Sequence, residues 1–162
     1  MSEQLIPGYN LRRGSTSERA LLVKFMQQTY QDIFPGLIFS HLRQTVDYYL
    51  SVDTPIWWVD WVDNPEPVPS PVGCLWMGNA IDQLTGKRHT HIFLLYVAPA
   101  HRRQGIGTAL MEFAQKWSKN RGDHQIGLQV FLSNQPALDM YRKLGFQTQS
   151  LWMVKSLDDG ET

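Results

Sequence analysis

The chain's hydrophobic patterning predicts an α+β domain in which strands outnumber helices. Three features carry that prediction. Residues 56–62 and 72–80 are rich in Trp, Val and other apolar residues, and prolines at 65, 67, 69 and 71 separate them. Proline has no N–H to give a sheet ladder, so the separator is a stiff loop joining a hairpin. Residues 90–97 are almost continuously apolar up to Pro99, the pattern of a strand inside a sheet. Residues 105–119 then place Ile106, Leu110, Phe113, Ala114 and Trp117 on one helical face.

The other elements follow in order. Residues 9–13 read as a first strand. Ser15, with Glu18 three residues later, has the capping-box spacing that opens a helix. Leu22, Phe25, Met26, Thr29 and Ile33 form its apolar face, and Pro35-Gly36 ends it. A second helix begins near Ser40 and turns Leu42, Val46, Tyr49 and Leu50 inward. Gly122 suits the left-handed residue that follows the helix of 105–119. Residues 125–131 are a further strand. Pro136 sits in the first turn of a last helix, which Gly145 stops. Residues 146–157 supply the last one or two strands. No segment repeats, and the whole of 1–162 reads as one domain.

Composition limits the function. Apolar residues make up 43% of the chain, enough for a core and too many for a disordered segment. Lys+Arg and Asp+Glu are both 15, so there is no basic excess of the kind a general polyanion binder carries. Lys87-Arg88-His89 and Arg102-Arg103 are therefore not read as a nucleic-acid surface. Cys74 is the one cysteine; with no disulfide framework a cytoplasmic location is expected, and its apolar neighbours make it a small core residue. Residues 1–8 lack a signal-peptide pattern, and no apolar run approaches the roughly 20 residues that span a bilayer. The acidic tail, 156–162, is expected to fray.

The chemistry concentrates in residues 94–108. A buried strand ends, a turn holds Arg102, Arg103, Gly105 and Gly107, and a helix begins. A helix N-terminus exposes unpaired N–H groups and the positive end of the dipole. Glycine lets the backbone approach a ligand, and arginine adds charge. Together these make an anion site suited to a pyrophosphate. The segment has neither GxGxxG nor the Gly-Lys-Ser/Thr of a Walker loop. A solvated basic turn would carry the same glycines and arginines.

Two motifs in order decide between those readings. Arg102-x-x-Gly105-x-Gly107, after the strand end Leu95-Tyr96-Val97, resembles the acetyl-CoA loop of the GNAT superfamily of N-acetyltransferases. Downstream, Asn134, Ala137, Tyr141 and Leu144-Gly145-Phe146 resemble that family's second signature. The two motifs cover about a third of the chain. The resemblance implies a GNAT acyltransferase fold: a mostly antiparallel, centrally splayed sheet flanked by helices. It implies acetyl-CoA as acetyl donor and a primary amine, on a small molecule or a peptide, as acceptor; no metal is expected, because no third ligand follows His89 and His91 at a recognisable spacing. Neither nucleic acid nor membrane is an expected partner, and a homodimer is compatible with it.

The resemblance also implies roles. Backbone groups of Leu95, Tyr96 and Val97 pair with the pantetheine arm as an added strand would. Arg103, Gln104, Gly105, Ile106, Gly107 and Thr108 wrap the pyrophosphate, and Arg102 either contributes its side chain or holds the loop. Asn134 contacts the cofactor arm. Tyr141 is the general-acid candidate for the departing thiolate; helical spacing with Ala137, Leu138 and Leu144 would equally make it core.

The amine must lose a proton before it attacks. Many relatives use a strand glutamate. Here Gln129 stands where some carry it, and residues 90–97 contain no carboxylate. His89 and His91 lie there on one strand face, and His91 is either a base or a structural histidine. Without a base, the same fold would serve as a non-catalytic acyl-CoA-binding regulatory module. On the acceptor side, Tyr30, Phe34, Phe39, Tyr48, Tyr49, Trp57, Trp58, Trp61 and Trp76 offer aromatic faces, and Asp32, Asp47 and Asp60 offer charge for a cationic amine. Core packing accounts for most of the aromatic set.

Overall fold

The computed structural model describes residues 2–160. The fraying expected at Glu161 and Thr162 lies outside the described residues, as does Met1.

Six strands form one sheet in chain order: β1 (Ser2–Ile6), β2 (Tyr9–Arg13), β3 (Ile56–Trp61), β4 (Gly73–Ile81), β5 (Arg88–Val97) and β6 (Ile126–Leu128). The first four pairings are antiparallel and β5·β6 is parallel. Four helices flank it: α1 (Arg19–Ile33), α2 (Leu42–Tyr49), α3 (Ile106–Asn120) and α4 (Gln135–Lys143). The α3 crossover between β5 and β6 is what a parallel pair needs.

Each sheet face has its own core. On one, Leu22, Phe25 and Met26 of α1 and Leu42 and Val46 of α2 pack against Trp58, Trp76, Leu94 and Tyr96. On the other, Ile106, Leu110, Met111 and Ala114 of α3 pack against Trp57, Leu75, Ile92 and Val59. Cys74 is fully buried on the α1 side, and burial pushes its thiol well above the ordinary range. It is a neutral core residue and not a nucleophile.

Several predicted boundaries hold. Ser15 N–H donates to Glu18 Oε1 at 2.9 Å, Pro136 lies in the first turn of α4, and Gly122 and Gly145 take φ of +93° after α3 and α4. Three readings need correction. The strand at 9–13 is second, because Pro7-Gly8 turns an earlier strand, β1, back against it. Pro-Gly is a turn signal, but Ser2–Ile6 has no apolar alternation to mark it as a strand. The strands expected in 146–157 do not form: the chain from Leu144 onward is irregular. Strand propensity there meets no paired neighbour, and an unpaired extended segment has little stability. Likewise only Ile126–Leu128 of the expected 125–131 strand joins the sheet.

Candidate active site

The site begins with an irregularity in β5. Trp76 pairs with Leu94 but Met77 pairs with Ile92, so Phe93 is an extra residue, a β-bulge. Gly78, the partner of His91, leaves room for the bulged side chain, since a Cβ there would lie 2.0 Å from the Phe93 ring. Pairing of β5 with β6 covers only Thr90, Ile92 and His91 between them, and stops at this bulge. Beyond it β5 continues alone on that side to Val97. The sheet is splayed there.

Strand alternation decides which groups face the gap. Ala98 N–H donates to Val72 O at 2.7 Å, and a Cβ on Gly73 would lie 2.8 Å from Tyr96 O, so Tyr96 and Ala98 turn their backbones to the β4 side. Leu95 and Val97 turn theirs to the gap. Tyr96 is thus set apart from its neighbours. Its ring stacks on Phe25 at 4.7 Å, and its hydroxyl donates to Gln28 Oε1 at 2.7 Å, inside the α1 core.

The turn after β5 is held from three directions. Arg102 Nε donates to Val97 O at 2.8 Å, and its terminal nitrogen reaches Asp32 Oδ2 of α1 at 3.0 Å. Tyr9 of β2 donates to Gln104 Oε1 at 2.9 Å and meets His101 Nδ1 at 2.8 Å. The Trp61 ring lies edge-on to His101, 5.0 Å between centroids. Of the two roles open to Arg102, holding the loop is the one its contacts satisfy.

Within that frame the backbone takes an unusual course. Arg103 has φ +66° and Gly105 φ +90°; among the described residues Arg103 is the one non-glycine with positive φ. Left-handed residues in a turn swing successive N–H groups into one concavity, which is a nest for an anion. The first helical bond runs from Ala109 N–H to Gly105 O, leaving the first-turn N–H groups of Ile106, Gly107 and Thr108 without intrahelical partners. Arg103, Gln104, Gly105 and Thr108 are exposed around this point, while the Ile106 side chain is buried beneath it. Gly107 has a packing reason as well: a Cβ there would lie 3.2 Å from Met140 Sδ, so its absence lets α4 approach α3.

Asn134 is the N-cap residue of α4 but its side chain makes no cap bond, which leaves its amide unspent. Two turns on, Tyr141 packs with the α3-side core and with the Phe146 ring, 5.6 Å between centroids. Burial raises its pKa to about 12. The phenol is therefore protonated at any ordinary pH and can give a proton but not take one.

His91 lies on the opposite face, half-buried, its ring edge-on to Phe93 at 5.4 Å. Its pKa is lowered, first by burial and then by the charge of His89. His89 is buried, and its Nδ1 lies 2.9 Å from the Thr90 carbonyl. His91 and Tyr141 thus flank the splayed strand from its two faces. Gln129 is exposed just past the end of β6.

The acceptor-side aspartates have other partners. Asp32 pairs with Arg102, Asp47 with Arg19 at 3.1 Å and Asp60 with Arg12 at 2.7 Å. With their charges matched, they are not free attractors of a cationic amine. Of the aromatic candidates, Phe39, Trp57, Trp58 and Trp76 are core. Tyr30 and Phe34 at the end of α1 instead meet Phe131, beyond β6, at 6.0 and 4.9 Å. The sequence had not marked Tyr9, His101 or Phe131. A contact such as Tyr9 to Gln104 joins residues 95 positions apart, and no local pattern signals it.

The site thus brings together a splayed strand, a left-handed turn at a helix start and a buried tyrosine. A family model described as the acetyltransferase (GNAT) family matches residues 23–146, and the chain belongs to that family. An N-alpha-acetyltransferase of Saccharolobus solfataricus is 31% identical over 147 residues, 86% of this chain and 80% of that protein. A streptothricin acetyltransferase of Streptomyces lavendulae is 44% identical over 50 residues, 31% of this chain and 26% of that one. The chain spans only 26% to 35% of the length of four curated relatives that it matches. Among solved structures, an acetyltransferase of Clostridium acetobutylicum with acetyl-CoA superposes with a TM-score of 0.72 at 21% identity, over 92% of this chain and 96% of that one. An aminoglycoside acetyltransferase from an uncultured soil sample, in complex with sisomicin, superposes with a TM-score of 0.68 at 17% identity, over 96% and 100%. The fold is that of these enzymes.

Proposed function

We propose that the protein transfers an acetyl group from acetyl-CoA to a primary amine by direct attack. One observation supports this above the rest: the backbones of Leu95 and Val97 turn to the splay beside a nest built by Arg103 and Gly105. A pantetheine arm has amides that pair with such an edge, and a pyrophosphate suits the nest. Val97 O is already held by Arg102, so Leu95 N–H, Leu95 O and Val97 N–H are the groups left for the arm. Asn134 adds an amide from α4.

The acetyl donor supplies a thioester carbonyl as electrophile. The amine nitrogen bonds to that carbon and the C–S bond breaks. A backbone N–H at the β5 edge stabilises the charge that develops on oxygen. The Tyr141 phenol gives its proton to the leaving sulfur and recovers one from solvent. Proton removal from the amine falls to His91 or to water on the α1 face. The acceptor is a small-molecule or peptide amine; the relatives' own acceptors include both kinds, by their names.

Calorimetry tests the donor half. Acetyl-CoA should bind the folded chain with a chelator present, because no step needs a metal. Absence of binding by folded protein would overturn the proposal.

A pH profile tests His91. A base must be neutral to act, and burial lowers the His91 pKa. The acid limb of kcat/KM is therefore expected below the ordinary histidine value of about 6.5. Activity should hold from neutral pH down to that limb and fall as His91 gains its proton. The limb should vanish in His91→Gln, with kcat/KM lower at neutral pH. Superimposable profiles would leave His91 structural and assign deprotonation to water.

A further inference from the structure

The end of α1 ties the two sides of the splay together. Asp32, near the end of that helix, holds Arg102 of the turn after β5 at 3.0 Å. Tyr30 and Phe34, on either side of it in sequence, meet the Phe131 ring past the end of β6, at 6.0 and 4.9 Å between centroids. This end of α1 therefore bridges the gap that opens between β5 and β6. The bulge stands at the other end of the gap. Its extra residue puts Phe93 and Leu94 in succession on the α1 side of the sheet. The Phe93 ring lies 4.7 Å from that of Trp76, 5.3 Å from that of Tyr49 on α2 and 5.4 Å from that of His91. On this face the opening over the splay has aromatic rings at both ends. Ile38 and Leu132, on the segments that carry Phe34 and Phe131, are exposed as well.

The same face has no carboxylate to spare. Asp32 and Asp47 are the only acidic residues in α1, α2, β5 and the segments 34–41 and 129–134. Asp32 is paired with Arg102 and Asp47 with Arg19. The reacting nitrogen must be neutral to attack, so it needs no counter-charge here. A second ammonium on the acceptor would be stripped of water with no anion to meet it, which is costly.

We propose that the acceptor carries a single primary amine on an apolar body, an alkyl or aromatic group that lies between the Phe93 and Phe131 rings. This rests on the acetyl-transfer reading above and adds the chemistry of the part that does not react. The amine end points to the thioester in the splay, beside His91, and the body replaces water over the rings. Burial of that body is the source of affinity. A ring face can also hold an ammonium. Charge and apolar area must therefore be varied separately.

The full chain is given saturating acetyl-CoA, and free thiol release is followed with propylamine, hexylamine, phenethylamine and hexamethylenediamine. Hexylamine and the diamine share one carbon skeleton and differ by one ammonium. A methylene in an apolar pocket changes kcat/KM roughly 10–200-fold, so hexylamine and phenethylamine should exceed propylamine by about tenfold or more. The diamine should fall below hexylamine by at least about tenfold, since its second charge is left unpaired. Phe131→Ser and Phe131→Asp replace an exposed side chain, so each should fold. Both should raise KM for phenethylamine with acetyl-CoA affinity near that of the unaltered protein. Phe131→Asp should also narrow the gap between hexylamine and the diamine. The acceptor class is wrong if the unaltered chain uses the diamine as well as hexylamine, if apolar length brings no gain, or if both variants leave the phenethylamine KM unchanged; the transfer reading survives each of these. Thiol release with none of these amines, from protein that binds acetyl-CoA, would overturn both.

Discussion

Tyr141→Phe is expected to lower kcat about a hundredfold while acetyl-CoA affinity stays near that of the unaltered protein. The substitution removes only a hydroxyl. The ring keeps its place in the α3-side core and its contact with Phe146. If packing were the whole role, turnover would barely change. Burial argues for more, since it holds the phenol protonated up to about 12 and keeps the proton available for a leaving thiolate. General acid–base groups contribute roughly 10²–10⁴-fold, and water entering from the splay can replace part of that, which sets the lower end. A solvent isotope effect must first show that chemistry limits kcat. A phenylalanine variant turning over at full speed under that condition would remove Tyr141 from proton transfer.

Gly105→Glu is expected to weaken acetyl-CoA binding by about a hundredfold, and by far more than Gly105→Ala does. The two variants separate two effects. Gly105 has φ of +90°, so any side chain there is strained at a cost of about 1–2 kcal/mol, whichever residue supplies it. No atom lies within 4 Å of the added Cβ, so alanine meets strain and no clash. Glutamate brings the same strain plus a negative charge at the rim of the nest. Two charges about 4 Å apart in a partly screened site interact by about 4 kcal/mol, and solvent reduces that. A difference of 1.4 kcal/mol is tenfold in affinity, so a residual of about 2–3 kcal/mol accounts for the expected loss. Melting temperature and calorimetric affinity are measured together. Equal affinities for the two variants would mean that no anion binds at this turn.

The Gly105 result bears on the loop between β5 and α3, where local sequence is most informative. Arg102-x-x-Gly105-x-Gly107 is contiguous, and its glycines act through conformations that neighbouring residues set. The left-handed Gly105, the helix start at Ile106 and the bulk-free Gly107 could be anticipated from residue types alone. The role of Arg102 could not. Whether its guanidinium faced a ligand or the protein depended on Asp32, 70 positions away. Gln104 and His101 depended in the same way on Tyr9.

The sequence by itself determined the apolar faces of the helices, the hairpin across the proline loop, the strand–turn–helix around Gly105 and the tyrosine on the following helix. These follow from periodicity and from short spacings, which act over a few residues. Tertiary structure alone decided where β5 parts from β6, because the bulge at Phe93 is a matter of register against β4 and of the room Gly78 leaves. It alone paired Asp32, Asp47 and Asp60 with arginines, and it left 146–157 without a partner strand. The reason is common to all three. A sequence records which residues prefer to be covered or charge-matched, but the partner that covers or matches them is chosen by packing between segments far apart in the chain.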